Sequence, residues 1–350
     1  MPLRKAVLFA VLAVALLAQA ACRGTDEDVP RPSQADARPA PKAKTPPGAP
    51  DAGRVRDEAR AGASDAGAGE DAEALVERLV ASPLKGARPL SPRSLSVKIA
   101  LESGDRAVWK PLRKANRTAR YEVAFYRIAP LVGAEETPVA ALRRLPLARL
   151  AGLLEASHPE SAQALRNEAL ADEDGYVGGA IIEWISALGP QRFEGETGWR
   201  QLAAWLGPDG PSPGEEPLVV AASRMVVADY VAGNWDRFSG GNLFAGETGR
   251  GLWLVDNNGS FARWSDKQRA RMDGQLAACT RFSASQLERL RALTADAVRA
   301  ALADEEARGV VDRVLTDAEI ALILERRDAV LRRVEGEVEK RGTQAVIAFP

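Results

Sequence analysis

The chain has 350 residues, of which 46% are apolar, so it can bury a sizeable hydrophobic core. Its 47 basic and 48 acidic side chains give a net charge of -1, which argues against nucleic acid as a partner. A single histidine and two cysteines exclude a Cys/His metal cluster, so any bound metal must take oxygen ligands.

The first residues have the layout of a targeting segment. Arg4 and Lys5 precede an apolar run over residues 6–17 that is short for a membrane span. The small residues before Cys22 resemble a bacterial lipoprotein signal, although Gln19 stands where that signal usually has Leu. The resemblance implies a signal peptide over 1–22, acylation of Cys22 and a lipid-anchored protein of the bacterial envelope, outside the cytoplasm. Ordinary secretion is the alternative.

The segment that follows is predicted to be a disordered tether. Residues 23–71 are rich in Ala, Pro and Gly and contain no aromatic residue, so they bury too little apolar surface to fold. The segment either spaces a domain from a membrane or is a plain leader. Residues 72–90 are predicted to form a short helix and a linker.

The patterns from residue 91 onward predict strands first and helices later. Residues 94–101 and 106–112 flank the turn Ser103-Gly104-Asp105 and predict a β-hairpin. A helix is predicted over 120–131 and a strand over 178–185. Two lobes with a cleft between them are expected, with a β-rich part over 91–184 and a mainly helical part over 185–340.

The second part contains a long apolar helix and two helix-start signals. A helix is predicted over 218–230 and a strand over 251–255. Ser285 followed by Glu288, and Thr316 followed by Glu319, fit capping boxes that begin helices. Residues 341–350 are predicted to be a tail.

Carboxylate and amide side chains surround the strand at 251–255. Asp236, Arg237 and Asn242 lie in the polar loop before it, and Asp256 follows it directly. Phosphoryl transfer needs one carboxylate at the acceptor and further oxygen ligands for a metal on the phosphates. These residue types are also common in solvated turns, so the cluster alone is a weak signal.

A second cluster upstream supplies the complementary chemistry. Lys110 lies in the second strand of the predicted hairpin, and Glu122 lies in the following helix. Kinases use such a pair to orient nucleotide phosphates. Glu183, at the end of the 178–185 strand, is predicted at a hinge where a nucleotide base meets backbone groups. Trp184 either lines that pocket or packs in the core, and the core is the preferred interpretation.

Four patches carry a family resemblance: AVWKPLRK, RYEVAFYRIAPLVG, DYVAGNWDR and LVDNNGSF. They resemble motifs of the atypical secretory-pathway kinases of the four-jointed and Golgi casein-kinase type. More distantly, the chain is similar to phosphatidylinositol 3- and 4-kinases and to HipA-type kinases. The resemblance implies an α+β, two-lobed protein-kinase-like fold. The chain departs from these families in two respects: it has Phe238 where they commonly have His, and it has no clear glycine-rich phosphate loop.

The resemblance also implies a role for each site residue. Lys110, Glu122 and Glu183 are expected at the nucleotide, and Glu122 is also a possible metal ligand. Asp236 is the expected catalytic aspartate, with Arg237 beside it. Asp256 and Asn242 are the expected ligands of Mg²⁺ or Mn²⁺, with ATP as the phosphoryl donor.

Three functions follow from this reading. The first is an extracytoplasmic kinase that phosphorylates a protein or glycan hydroxyl. The second is a kinase-like lipoprotein that binds nucleotide or a partner without turnover, and the third is a lipid head-group kinase. Because one fold serves many acceptors, the sequence does not separate protein, glycan and lipid.

Replacement of Cys22 tests the anchor. In a bacterial host, the wild type is expected to incorporate labelled fatty acid and sediment with membranes, whereas Cys22→Ser is expected to do neither, because the acylated thiol is gone. Cys279→Ser is the matched control and should label like the wild type. Equal labelling of Cys22→Ser and the wild type would contradict the lipoprotein prediction.

Overall fold

The computed structural model describes residues 68–91, 95–134, 136–186 and 188–350. The predicted signal peptide, Cys22 and nearly all of the predicted tether lie outside the described residues. Among those residues, no helix has the length and apolar character that a membrane span requires.

The domain is α+β, as predicted, and its first half contains a five-stranded antiparallel sheet. The sheet has the strand order β1-β2-β3-β5-β4. Its strands and the surrounding helices are α1 (Ala68–Ala81), β1 (Leu84–Pro89), β2 (Val97–Leu101), β3 (Arg106–Pro111), α2 (Arg120–Ile128), β4 (Ala140–Pro146), α3 (Leu147–Glu155), α4 (Pro159–Glu168) and β5 (Tyr176–Glu183).

The second half is mainly helical and carries a small sheet of order β6-β7-β8. Its elements are β6 (Leu188–Arg192), α5 (Gly195–Leu206), α6 (Leu218–Ala232), β7 (Leu243–Gly246), β8 (Leu252–Leu254), α7 (Asp266–Ala278), α8 (Ala284–Ala292), α9 (Ala295–Ala307), α10 (Asp317–Arg341) and α11 (Thr343–Val346).

Side-chain alternation along the strands divides the interior into two cores. On β5, Val177 and Ile181 enter a core that also contains residues of α1, α3 and α4. Ala180 and Ile182 enter the other core, with α2 and the helices of the second half. The five-stranded sheet is therefore covered on both faces. Residues of α2, with Val108 of β3, pack against the helices of the second half in the second core.

The predicted hairpin is confirmed. Strands β2 and β3 are antiparallel, and Val97, Ile99 and Leu101 point into the core. Gly104 has a φ of 91°, a left-handed conformation that a side chain disfavours, which explains a glycine at this turn. The predicted helices at 120–131 and 218–230 and the capping box at Thr316 are also present.

Several local predictions are wrong. The predicted linker contains β1, which pairs with β2, and the tether ends earlier than expected because α1 begins at Ala68. The helix near 285 is capped by Ser283 rather than Ser285. The predicted tail contains α11 and ends close to the domain: Phe349 is buried and forms an isolated parallel β-bridge with Ser283.

Helix α2 is anchored at both ends by acidic side chains of the C-terminal helices. At its start, Arg120 and Tyr121 both donate hydrogen bonds to Glu319 of α10. At its end, Arg127 Nη2 lies 2.6 Å from Glu305 Oε1 of α9. The second oxygen of Glu305 accepts a 2.7 Å hydrogen bond from the Leu142 amide on the edge strand β4. The position of α2 is thus fixed from outside the sheet.

Two carboxylates on the same arginine allow a matched stability test. Glu305 is fully buried, whereas Glu73, which also pairs with Arg127, has a side chain that is 61% exposed. Glu305→Gln is expected to lower the free energy of unfolding by about 3 kcal/mol, because it removes the fully buried carboxylate that faces Arg127 and leaves only the exposed Glu73 as its ion-pair partner. Glu73→Gln is expected to cost under about 1 kcal/mol. Urea denaturation measures both, and equal costs would contradict the proposed anchoring of α2 by Glu305.

Candidate active site

Three charged side chains from separate elements meet at one point. Lys110 Nζ, on β3, lies 2.6 Å from Glu122 Oε1 on α2 and 2.8 Å from Asp256 Oδ1, just beyond β8. Lys110 and Glu122 are buried, whereas the Asp256 side chain is 42% exposed. The two clusters predicted from the sequence therefore converge, and the lysine joins them.

The charge state of this group follows from burial and from the neighbouring charges. Burial lowers the pKa of Lys110, but the attraction of Glu122 and Asp256 outweighs it and the net pKa is raised. Burial raises the pKa of Glu122, and the nearby Lys110 ammonium opposes that effect. Lys110 is therefore a cation at neutral pH, which is the state that attracts phosphate.

The turn after β8 presents Asp256 to the cleft. Asp256 has a φ of 54°, in the left-handed region that Asp tolerates better than most residues. The next residue, Asn257, donates its backbone N–H to Glu122 Oε2 at 2.8 Å. Asn257 also accepts from Arg237 and donates to the Leu254 carbonyl through its side chain. The first asparagine of the LVDNNGSF motif thus lies inside the turn and holds it to α2.

Arg237 organises the loop rather than facing a substrate. It is almost completely buried and makes a bidentate pair with Asp229 of α6, with both N–O distances at 2.8 Å. Its remaining donors reach the backbone carbonyls of Asn242 and Val255 and the side chain of Asn257. All five guanidinium N–H groups are engaged. Arg237, which was expected beside Asp236, therefore holds the loop in place through these contacts.

Asp236 and Asn242 are held by backbone contacts within the same loop. The Asp236 N–H donates to Asn234 Oδ1 at 3.2 Å, and the Asp236 carbonyl accepts from Asn242 Nδ2 at 2.9 Å. Among the described residues, none donates a hydrogen bond to the Asp236 carboxylate. A Cβ on Gly259 would lie 2.9 Å from Asp236 Cβ, so the loop and the Asp256 turn touch where only glycine fits.

Two cavities meet at Lys110 and Asp256. One has a volume of 240 Å³ and mainly apolar walls that include Val108, Ile182 and Trp184. The other, of 410 Å³, is polar and includes Ser96 and Asn258. An apolar cavity next to a polar one with a lysine at their junction suits a base joined to phosphates.

The base end of the cleft corrects one prediction. Trp184 lines the apolar cavity beneath the Lys98 ammonium, 3.2 Å from its ring centroid, rather than being plain core. Glu183 also borders the cavity, as expected for a hinge, but its carboxylate accepts a hydrogen bond from the Val139 amide. Phe238 packs edge-to-face on Trp199, in the core.

The carboxylate and amide oxygens of the site suit a hard cation bound to phosphates, but not all of the expected ligands have an oxygen available for it. No group of three or more His, Cys, Asp or Glu side chains suited to a metal occurs in the described residues. Asp256 uses one oxygen for Lys110, and Asn242 uses its amide nitrogen within the loop, so each retains an oxygen suited to Mg²⁺ or Mn²⁺. Both oxygens of Glu122 are engaged and buried, so its geometry favours the alternative of orienting Lys110.

Comparison with solved structures identifies the fold. The chain is similar to the Golgi casein kinase with Mn and ADP bound, with a TM-score of 0.58 and 14% identity over 78% of each chain. The chain has a Golgi-casein-kinase-like fold. The expected two-lobed kinase architecture is confirmed at this level.

Two further structures share this kinase fold. Another Golgi casein kinase structure gives a TM-score of 0.55 and 14% identity over 80% of this chain and 78% of that one. The structure of hydra Fam20 with sugar gives 0.59 and 15% identity over 79% and 92% of the respective chains. No protein-family model matches the sequence, and no curated protein matches it.

Proposed function

We propose that the domain is an ATP-dependent kinase that transfers the γ-phosphoryl group to a hydroxyl of a protein or glycan. The observation that carries the proposal is the Lys110 ammonium between Glu122 and Asp256 at the junction of an apolar and a polar cavity. The Mn and ADP in the similar Golgi casein kinase support the same donor and a divalent cation.

Each side chain has one task in this proposal. The base enters the apolar cavity, and Lys110 holds the phosphates in the orientation that Glu122 sets. Asp256 and Asn242 hold Mg²⁺ or Mn²⁺, which neutralises phosphate charge when bound. Asp236 orients the acceptor hydroxyl and accepts its proton as the new P–O bond forms. The bond between the γ-phosphorus and the bridging oxygen breaks, and ADP leaves.

We place this reaction outside the cytoplasm, on a protein anchored to a membrane of the bacterial envelope through Cys22. The apolar run before Cys22 and the composition of residues 23–71 support this location. The fold of the secretory Golgi casein kinase is compatible with it. A protein or glycan acceptor is preferred, and a lipid head group is the alternative that a membrane anchor makes accessible.

The proposed division of labour predicts opposite behaviour for two aspartates. Asp256→Ala is expected to abolish phosphate transfer and to remove the metal-dependent thermal stabilisation by ATP, because it deletes the metal ligand. Asp236→Asn is expected to lose turnover by roughly 10²-fold or more and to keep most of the stabilisation, because the ground-state complex does not need it.

Thermal unfolding with ATP and Mg²⁺ or Mn²⁺, and labelled-phosphate transfer, measure the two effects. Ligand at one hundred times its dissociation constant stabilises the native state by about 2.7 kcal/mol, which is readily detected. Asp273→Asn, a change at an aspartate that bonds Tyr230 away from the cleft, is the control. Absence of any nucleotide effect on the wild type would refute the kinase proposal, and binding without transfer to protein, glycan or lipid would favour the non-catalytic binder.

A further inference from the structure

Arg326, on helix α10, is a buried cation without a carboxylate partner. Its relative exposure is 5%. Within the described part of the chain no ion pair joins its guanidinium to an acidic side chain, and Glu325 attracts it only through space. It donates instead to two backbone carbonyls, those of Ala232 at 3.3 Å and Ala262 at 2.6 Å. Burial lowers the pKa of Arg326 to about 10, so it is still charged at neutral pH.

A buried charge of this kind is costly for stability alone. The two carbonyls and the Trp264 ring offset part of the free energy lost when the cation is desolvated. The ring centroid lies 4.1 Å from the guanidinium carbon. An apolar side chain of similar volume would avoid the desolvation cost. The geometry around Arg326 therefore calls for a role besides stability.

The two carbonyls belong to the two segments that carry the site. Ala232 ends α6, and the loop with Asp236 follows it. Ala262 follows the turn that begins with Asp256. Arg326 is thus the side chain that bridges the catalytic loop and the metal turn from the side of α10.

Neighbouring contacts make the bridge tight. Trp264, under the guanidinium, donates its indole N–H to the Gly233 carbonyl at 2.9 Å, and the Phe261 N–H donates to the Ala232 carbonyl at 2.7 Å. Gly233 has a φ of 77°, and a Cβ there would lie 2.1 Å from Arg326 Nη1. The loop can approach the arginine this closely only because position 233 is glycine.

We propose that Arg326 is a positioning residue that sets the spacing of Asp236 and Asp256 by holding both of their segments to α10. The proposal rests on the proposed kinase function for its effect on turnover. The physical claim, that one guanidinium fixes two loops, can be measured without any reaction.

The first test measures the loops directly by amide hydrogen exchange in the full chain. In Arg326→Met, the Asn234 and Phe261 amides, which bond Asp229 and Ala232, are expected to exchange at least about tenfold faster than in the wild type. Arg327→Met is the matched control, because Arg327 is the next residue of α10 and donates to the Leu293 carbonyl, away from the site. Its exchange at the two amides should be unchanged.

The second test measures function well below the melting temperature. In Arg326→Met, turnover at saturating ATP and metal is expected to fall roughly 10- to 100-fold, and the half-saturating Mn²⁺ concentration for the ATP-induced thermal shift to rise about tenfold. At saturating metal, the KM for ATP should change less than about threefold, because the base is proposed to lie against Val108 and Ile182, on strands that Arg326 does not hold. Arg326→Lys keeps the charge but loses the planar fork, and should recover only part of both effects.

The outcomes separate the two proposals. If Arg326→Met only lowers the melting temperature, and its exchange, turnover and metal response match those of the wild type, Arg326 is a structural residue and the inference is overturned. If the wild type shows no nucleotide response, the kinase proposal fails, and the exchange comparison alone decides whether Arg326 holds the loops.

Discussion

The rest of the site depends on the Lys110 ammonium, which is held by Glu122 and Asp256. The three residues come from a strand, a helix and a turn, so the contact exists only when the five-stranded sheet, α2 and β8 are all in place. Buried ion pairs contribute little net stability, because desolvation opposes their attraction. What this one contributes is geometry, since it directs the lysine to the junction of the apolar and polar cavities.

The fold supports this contact from three directions. Glu319 and Glu305 fix the two ends of α2, and therefore the position of Glu122. Arg237 ties the loop that contains Asp236 to the Val255 carbonyl, just after β8, and to Asn257 in the turn that begins with Asp256. Arg326 reaches the same two segments from α10. Arginine and glutamate side chains of the site are thus largely engaged in holding Asp236 and Asp256, the two carboxylates to which we assign the chemistry.

The sequence was sufficient for the parts of the site that local patterns encode. Lys110 and Glu122 followed from a hairpin and the next helix, and Asp256 from an apolar strand that ends in a polar turn. It was insufficient where distant contacts decide. No local pattern in the β1 sequence LKGARP predicts a strand. The segment is a strand because it pairs with β2, a contact that the sequence alone does not reveal. In the sequence, Asn257 and Arg326 resemble ordinary polar residues, because their partners Glu122 and Ala262 are brought to them only by folding. For Asn257 there was one signal, the additional Asn in the LVDNNGSF motif.

The most direct test of the account is a crystal structure of the domain with Mn²⁺ and a non-hydrolysable ATP analogue. In that structure the base is expected beside Val108 and Ile182, the phosphates at Lys110, and the metal bonded directly to a carboxylate oxygen of Asp256. The γ-phosphate is predicted to face Asp236. A nucleotide bound outside the two cavities, or a metal with no contact to Asp256, would contradict the central claim that Lys110 and Asp256 form a phosphoryl-transfer site.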